Sequence, residues 1–338
     1  MRKPDFENML KVLRGQAPNR PTLFELFLND PLYERLAGRA FPRGGDDAEI
    51  LCFIAQAFAA AGYDYATTHG SSFTMGEAKA KKQRCSCSLN DGASIIDWET
   101  YEQFLWHDPD SYDYSRLEKA SQFLPEGMKL MVMGPGGVLE NVTSLVGFDN
   151  LCLMLYDDPA LAQEVFDQVG SRLLRYYENC VGYDAVGFLC SNDDWGFRTQ
   201  TFLSPADMRR YVFPWHKKIV DTAHRAGKPC ILHSCGYFDE MIDATIGEMH
   251  FDAKHSYEDN ICSVEDCYEK WHGRIAVLGG MDVDFLIRST PEEIRTRCRS
   301  MLERTMQRGG YALGSGNSIP SYMPQESYFA MLSVIDEV

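Results

Sequence analysis

Short apolar runs alternate along the chain with longer stretches in which apolar residues recur at helical spacing. The runs fall at 20–29, 63–68, 128–133, 184–190, 229–232, 251–254, 274–278 and 311–313, and each reads as a strand. The periodic stretches carry start and stop signals. A first short helix is expected over 6–13. Asp46 or Asp47 caps a helix whose Ile50, Leu51, Ile54, Ala57, Phe58 and Ala61 form one face and which stops at Gly62. Asp158 with Pro159 opens a helix to about Cys180, and Ser204 with Pro205 opens one that closes on Gly227. Thr290 and Glu293 form a capping box, with Pro291 between them at the first helical position, for a helix to Arg308.

Strands alternating with amphipathic helices specify a parallel sheet wound with helices, and eight repeats predict a closed (β/α)8 TIM barrel, an α/β fold. One domain over 1–338 is expected, with a long insertion at about 71–123, where no period is visible. An open doubly wound sheet would also gather ligands beyond its strand ends, so the strand count separates the two architectures. Glu25, His69, the loop from Gly134 to Gly137, Asp193, Asp194, His233, Cys235, His255, Asp282 and Asn317 are all read as following strands rather than preceding them. That places the site at the C-terminal face of the barrel.

Composition narrows the partners. A net charge of −16 and a pI near 4.9 oppose binding to a phosphate backbone or an anionic membrane, so neither nucleic acid nor membrane is expected. The opening residues 1–7 are charged and no long apolar run follows, which predicts no secretory signal, no membrane span and a cytoplasmic protein. Eleven scattered cysteines do not form the pattern of a secreted disulfide scaffold. A homodimer is compatible with the chain.

The sharpest chemical signal is His233-Ser234-Cys235, two metal-competent side chains at i and i+2 after an apolar run. Two residues are not a site, so the surrounding loops have to supply a third donor. Asp193 and Asp194 follow the fourth strand, and Trp195, Phe197 and Tyr257 are candidate lining residues. Cys85 and Cys87, inside the insertion, read as a mobile thiol pair outside the site.

Several stretches taken in order resemble the uroporphyrinogen decarboxylase superfamily, which includes corrinoid-dependent methyltransferases. They are Gly134 to Gly137, the Leu203-Ser204-Pro205 helix opening with Pro214 inside, His233 to Gly236, Leu278 to Asp282, Thr290 to Glu293, and Gly314 to Pro320 with Pro324. The resemblance implies a (β/α)8 barrel. True decarboxylases of this family carry an Arg-Gln-Ala-Gly-Arg-like motif after the first strand, which holds a tetrapyrrole rich in carboxylates. Here that place reads 24–29 without an arginine and with Glu25, so the resemblance is better to the methyltransferase branch. Its thiol-methylating members bind zinc through His-x-Cys and a Cys after the eighth strand. His233 and Cys235 match the first two, whereas Ser315 stands where the third is expected. The third ligand is then sought at Glu25 or Glu258, with Asp194 and His255 as further choices.

The resemblance implies methyl transfer between a small substrate and a corrinoid (cobalamin) protein, zinc-assisted, with the corrinoid brought by a partner protein. Asp194, His255 and Asp282 are the expected catalytic residues. Glu25, Asn29, His69, Asp193, Trp195, Tyr257 and Asn317 are the expected substrate-binding residues. Decarboxylation of uroporphyrinogen in porphyrin biosynthesis is the alternative, and a non-catalytic binding protein on the same barrel is the second.

Overall fold

The computed structural model describes residues 2–76 and 93–338. Its centre is a sheet of seven parallel strands in chain order: β1 (Tyr65–His69), β2 (Lys129–Met133), β3 (Val186–Asn192), β4 (Cys230–His233), β5 (Ala253–His255), β6 (Ala276–Leu278) and β7 (Tyr311–Ala312). Strands covered on both faces lose the in-out alternation of a half-exposed sheet, and all seven residues of β3 are buried. Helices Asp47–Ala61, Pro159–Val181, Phe213–Arg225 and Val264–Trp271 pack on β1, β3, β3 with β4, and β6 respectively.

The expected first strand at 20–29 is not a strand. Leu23 makes one parallel bridge to Leu313 beyond β7, with Phe24 N donating to Leu313 O and Leu313 N to Thr22 O. Towards β1 the contact passes through side chains instead. The Tyr65 hydroxyl meets both the backbone N–H (2.7 Å) and the carbonyl of Glu25 (2.6 Å), and Thr67 Oγ1 donates to the same carbonyl. The two sheet edges therefore meet on one short segment, and the sheet is curled around it. Asn29 ends the segment early by capping helix Asp30–Ala37 through Leu32 N (3.0 Å).

Three capped helices match the sequence signals, at Asp47–Ala61 with Asp46 as cap, at Pro159–Val181 with Asp158, and at Pro291–Thr305 with the Thr290 capping box. The helix expected from Ser204 to Gly227 is interrupted by a π-turn at Met208–Val212 before continuing as Phe213–Arg225. Between β1 and β2 the described residues hold short helices at Trp98–Gln103 and Ser115–Ala120 and a bridge from Gly76 to Trp106. Cys85 and Cys87 lie outside the described residues. Among the described residues no single helix is long and apolar enough to cross a membrane.

One polar cluster fixes the loops at the C-terminal end of the sheet. Asp193, fully buried after β3, accepts from Leu139 N (3.0 Å) and Glu140 N (2.9 Å) at the start of helix Val138–Val146. It also accepts from Trp195 Nε1 and His216 Nε2, both at 2.9 Å. A carboxylate at a helix N-terminus is favoured by the exposed amides and the helix dipole. Gly137 makes the approach feasible, because a Cβ there would lie 2.2 Å from Asp193. Removing this acceptor strands four donors, two of them on buried rings. Asp193→Ala is expected to destabilise the fold by about 3–5 kcal/mol, read as a lower midpoint in urea unfolding; a loss under about 1 kcal/mol would mean that water replaces the carboxylate.

Candidate metal centre

Parallel pairing brings three loops together at one sheet end. Asn192 at the end of β3 is in register with His233 of β4, which is in register with His255 of β5. Two residues past Asn192, Asp194 turns its Oδ1 to accept Cys235 N at 2.8 Å. Gly236 has φ +84, and a Cβ there would meet Gly196 O at 2.1 Å, so glycine lets the β3 and β4 loops touch. One donor atom each from Asp194, His233 and Cys235 lies within 4.8 Å of the others.

Hydrogen bonds assign the imidazole tautomers. His255 Nε2 faces the carbonyl of Ser315 at 3.1 Å, and a carbonyl only accepts, so this nitrogen carries the proton. In its neutral form His255 then has an unprotonated Nδ1, 2.8 Å from His233 Nδ1, which must donate. His233 is left with a lone pair on Nε2, 3.7 Å from Cys235 Sγ. Burial pulls His233 down to about 4 and His255 well below the usual imidazole range. Burial, then Asp194, pushes the Cys235 thiol up to about 12. A cation among these groups would reverse that preference, because it stabilises thiolate and neutral imidazole.

The donor set fits zinc. Zn–S of about 2.3 Å and Zn–N of about 2.05 Å at a tetrahedral angle put the two donor atoms about 3.6 Å apart. The observed His233 to Cys235 separation is 3.7 Å. The third donor of the cluster is Asp194. Glu25 is occupied elsewhere: Ser315 Oγ lies 2.8 Å from its Oε1, Ser315 N donates to Oε2 (3.3 Å), and the carboxyl is fully buried. Glu258 belongs to the wall of an adjoining cavity of about 640 Å³, with Cys235, Tyr257, Asp282, Asp284, Asn317 and Tyr322.

The other expected site residues divide. Asn317 reaches the cluster, donating from Nδ2 to Cys235 Sγ at 3.3 Å. Tyr257 and Asp282 border the cavity, but both oxygens of Asp282 accept backbone amides, from Phe285 and Asp259. His255 stands behind His233 and orients it. Asp193 and Trp195 belong to the buried clamp, the indole stacked on Phe238. Asn29 is a helix cap, and His69 stacks on Phe27 with Nδ1 towards Met133 O.

Three residues near the site escaped the sequence reading. Among the described residues nothing hydrogen-bonds the buried Oδ1 of Asn192. Glu140 is raised to about 8 by burial, then by Asp193 and Asp194. Lys254 is fully buried between the carbonyls of Ser234 and Ser256 and the rings of Phe238 and Tyr257, and burial brings it down to about 8. Glu140 is legible only as the third residue of a helix, and Lys254 only as a cation inside an apolar strand.

A family model described as uroporphyrinogen decarboxylase (URO-D) matches residues 120–338, more than half of the chain. The uroporphyrinogen decarboxylase of Hydrogenovibrio crunogenus is 24% identical over 200 residues, and that of Citrifermentans bemidjiense 26% over 194. Each match covers 56% of this chain and 52% of the relative, so the chain spans about half the length of these relatives. Among solved structures, a methyltransferase from Methanosarcina mazei is similar in fold, with a TM-score of 0.69 over 98% of this chain and 97% of that one, at 15% identity.

Glu25 offers a test of the electrostatics. Burial raises it from an ordinary 4.5 to about 8, so the folded chain keeps a proton that the unfolded chain releases. Its stabilising contribution is fully present below about 4.5 and is lost as pH rises through about 8. Glu25→Gln, which copies the protonated carboxyl, is therefore expected to gain melting temperature relative to the natural chain as pH goes from 5 to 8. Parallel melting temperatures for the two proteins across that range would show that Glu25 is ionised in the fold.

Proposed function

The chain belongs to the uroporphyrinogen decarboxylase family, and within it we propose a zinc-assisted methyltransferase that moves a methyl group between a small substrate and a corrinoid protein. The observation that carries this reading is the cluster of Asp194, His233 and Cys235 beside the 640 Å³ cavity. Three protein donors leave a fourth position, the layout of a catalytic rather than a structural zinc site. Zinc bound there would act as a Lewis acid that lowers the proton affinity of a substrate thiol or polarises another donor atom. His233 offers its Nε2 lone pair, held in place by the Nδ1 bond to His255. Asp194 also holds the Cys235 amide, so two donors are fixed relative to each other by one hydrogen bond. The cavity wall receives the substrate. The fold likeness to the Methanosarcina mazei methyltransferase agrees with this choice of branch, and the corrinoid would come from a separate partner protein.

Decarboxylation of uroporphyrinogen is the second reading, and the two curated relatives favour it. The cavity speaks against it. Among the described residues its wall contains Glu258, Asp282 and Asp284 and no lysine or arginine, so a polyanion would meet like charge there. Metal analysis with a methyl-transfer assay separates the two. Asp194→Asn and Cys235→Ser, both close in shape to the originals, are expected to melt within a few degrees of the natural protein. Their zinc affinity should fall at least about tenfold and transfer between cob(I)alamin and a panel of thiol, amine and methoxy substrates should be lost. Zinc-free protein that decarboxylates uroporphyrinogen would overturn the assignment.

A further inference from the structure

The turn from Ser315 to Ser318 contains an arrangement that the metal reading does not require. Asn317 Oδ1 accepts the backbone N–H of Ser318 at 2.8 Å. That bond fixes which end of the amide is oxygen, so the group 3.3 Å from Cys235 Sγ is the NH2. The sulfur therefore accepts a hydrogen bond in addition to its contact with His233.

The backbone of the same residue is held from the other side. Ser315 Oγ lies against both the Asn317 carbonyl and Glu25 Oε1. A hydroxyl has one proton and a carbonyl can only accept, so Ser315 gives its proton to Asn317 O and receives one from a neutral Glu25 carboxyl. Gly316 presses the turn under the next loop, where a Cβ would lie 2.2 Å from Tyr257 O. Glu25, Ser315 and Asn317 thus form one directed chain that ends on the Cys235 sulfur.

We propose that Asn317 is a positioning residue that donates its amide to the Cys235 sulfur, and that the Glu25–Ser315 pair locks the turn that aims it. The inference rests on the metal reading for its catalytic meaning, but the contact itself exists with or without a metal. An N–H donated to sulfur stabilises negative charge there. It makes the thiolate easier to form in the metal-free protein and less electron-donating towards a bound metal.

Asn317→Asp tests this with little change of shape, since the Ser318 bond survives and only the donor is replaced by a negative acceptor. In metal-free protein, alkylation of Cys235 by iodoacetamide, followed by peptide mass spectrometry, is expected to slow roughly tenfold or more, the worth of one hydrogen bond to a charged acceptor. In cobalt(II)-loaded protein, the sulfur-to-cobalt charge-transfer band should move to lower energy. Ser315→Ala should shift both readouts the same way, and Glu25→Gln, which still donates to Ser315, should leave them as in the natural chain. An alkylation rate in Asn317→Asp equal to the natural one overturns the inference whether or not cobalt binds. Slowed alkylation in a protein that shows no charge-transfer band supports the contact and sinks the metal reading instead.

Discussion

The arrangement depends on a carboxyl group taken out of water. Glu25 sits where the two ends of the sheet come together: its backbone meets the Tyr65 hydroxyl on one side and its carboxyl meets Ser315 on the other. An ionised carboxylate there would carry a large desolvation penalty, with no cation among the described residues to offset it. A neutral one is a donor and an acceptor at once, so it can bond both the hydroxyl and the backbone N–H of Ser315. The seam is made by side chains because residues 22–25 offer only a single bridge to the far edge. A regular eighth strand would have closed the sheet with ladder bonds, and this chain uses a protonated acid and a tyrosine in their place.

The same seam carries information into the site. Ser315 bonds Glu25 through its side chain, His255 through its carbonyl and the Asn317 carbonyl through its hydroxyl. His255 sets the tautomer of His233, and Asn317 touches Cys235. A residue that stands where a ligand was expected has become the point to which the ligands' supports are tied. The adjacent aspartates show a similar division of labour. Asp193 is turned under a helix start and holds the loops, while Asp194 is turned towards Cys235.

Much of this was legible in the chain. Parallel strands in the buried interior are short, apolar and separated by capped helices, and such signals place β1 to β7 and three of the long helices correctly. The helix caps at Asp46, Asp158 and Thr290 are local chemistry, so sequence alone suffices for them. The segment at 20–29 looked like a strand because Leu23, Phe24, Leu26, Phe27 and Leu28 are apolar, yet strand formation depends on a partner edge, which no local pattern reports. His233 and Cys235 were readable because a two-residue spacing brings them together. Asp194 was readable only as one of several possible companions, behind Glu25 and Glu258, since the β3 loop reaches the pair through sheet register. Asp193, Trp195 and Asp282 attracted functional readings as polar or aromatic residues after strands; the two aspartates accept backbone and ring donors, and Trp195 donates its indole N–H to Asp193.

The seam also orders events in time. Glu25 and Ser315 are 290 residues apart, the separation of the bond that joins them. A ribosome adding about 5–20 residues per second needs roughly 15–60 s to cover that distance. For all of that interval the apolar stretch around Phe24 has no second edge to join, and its burial waits for the segment that carries Ser315. The donor cluster is complete on paper once Cys235 has emerged, but its supports arrive only with Ser315 and Asn317. Assembly of the site thereby waits for a contact between residues far apart in the chain, and the apolar segment around Phe24 is a part in need of protection from other chains until then.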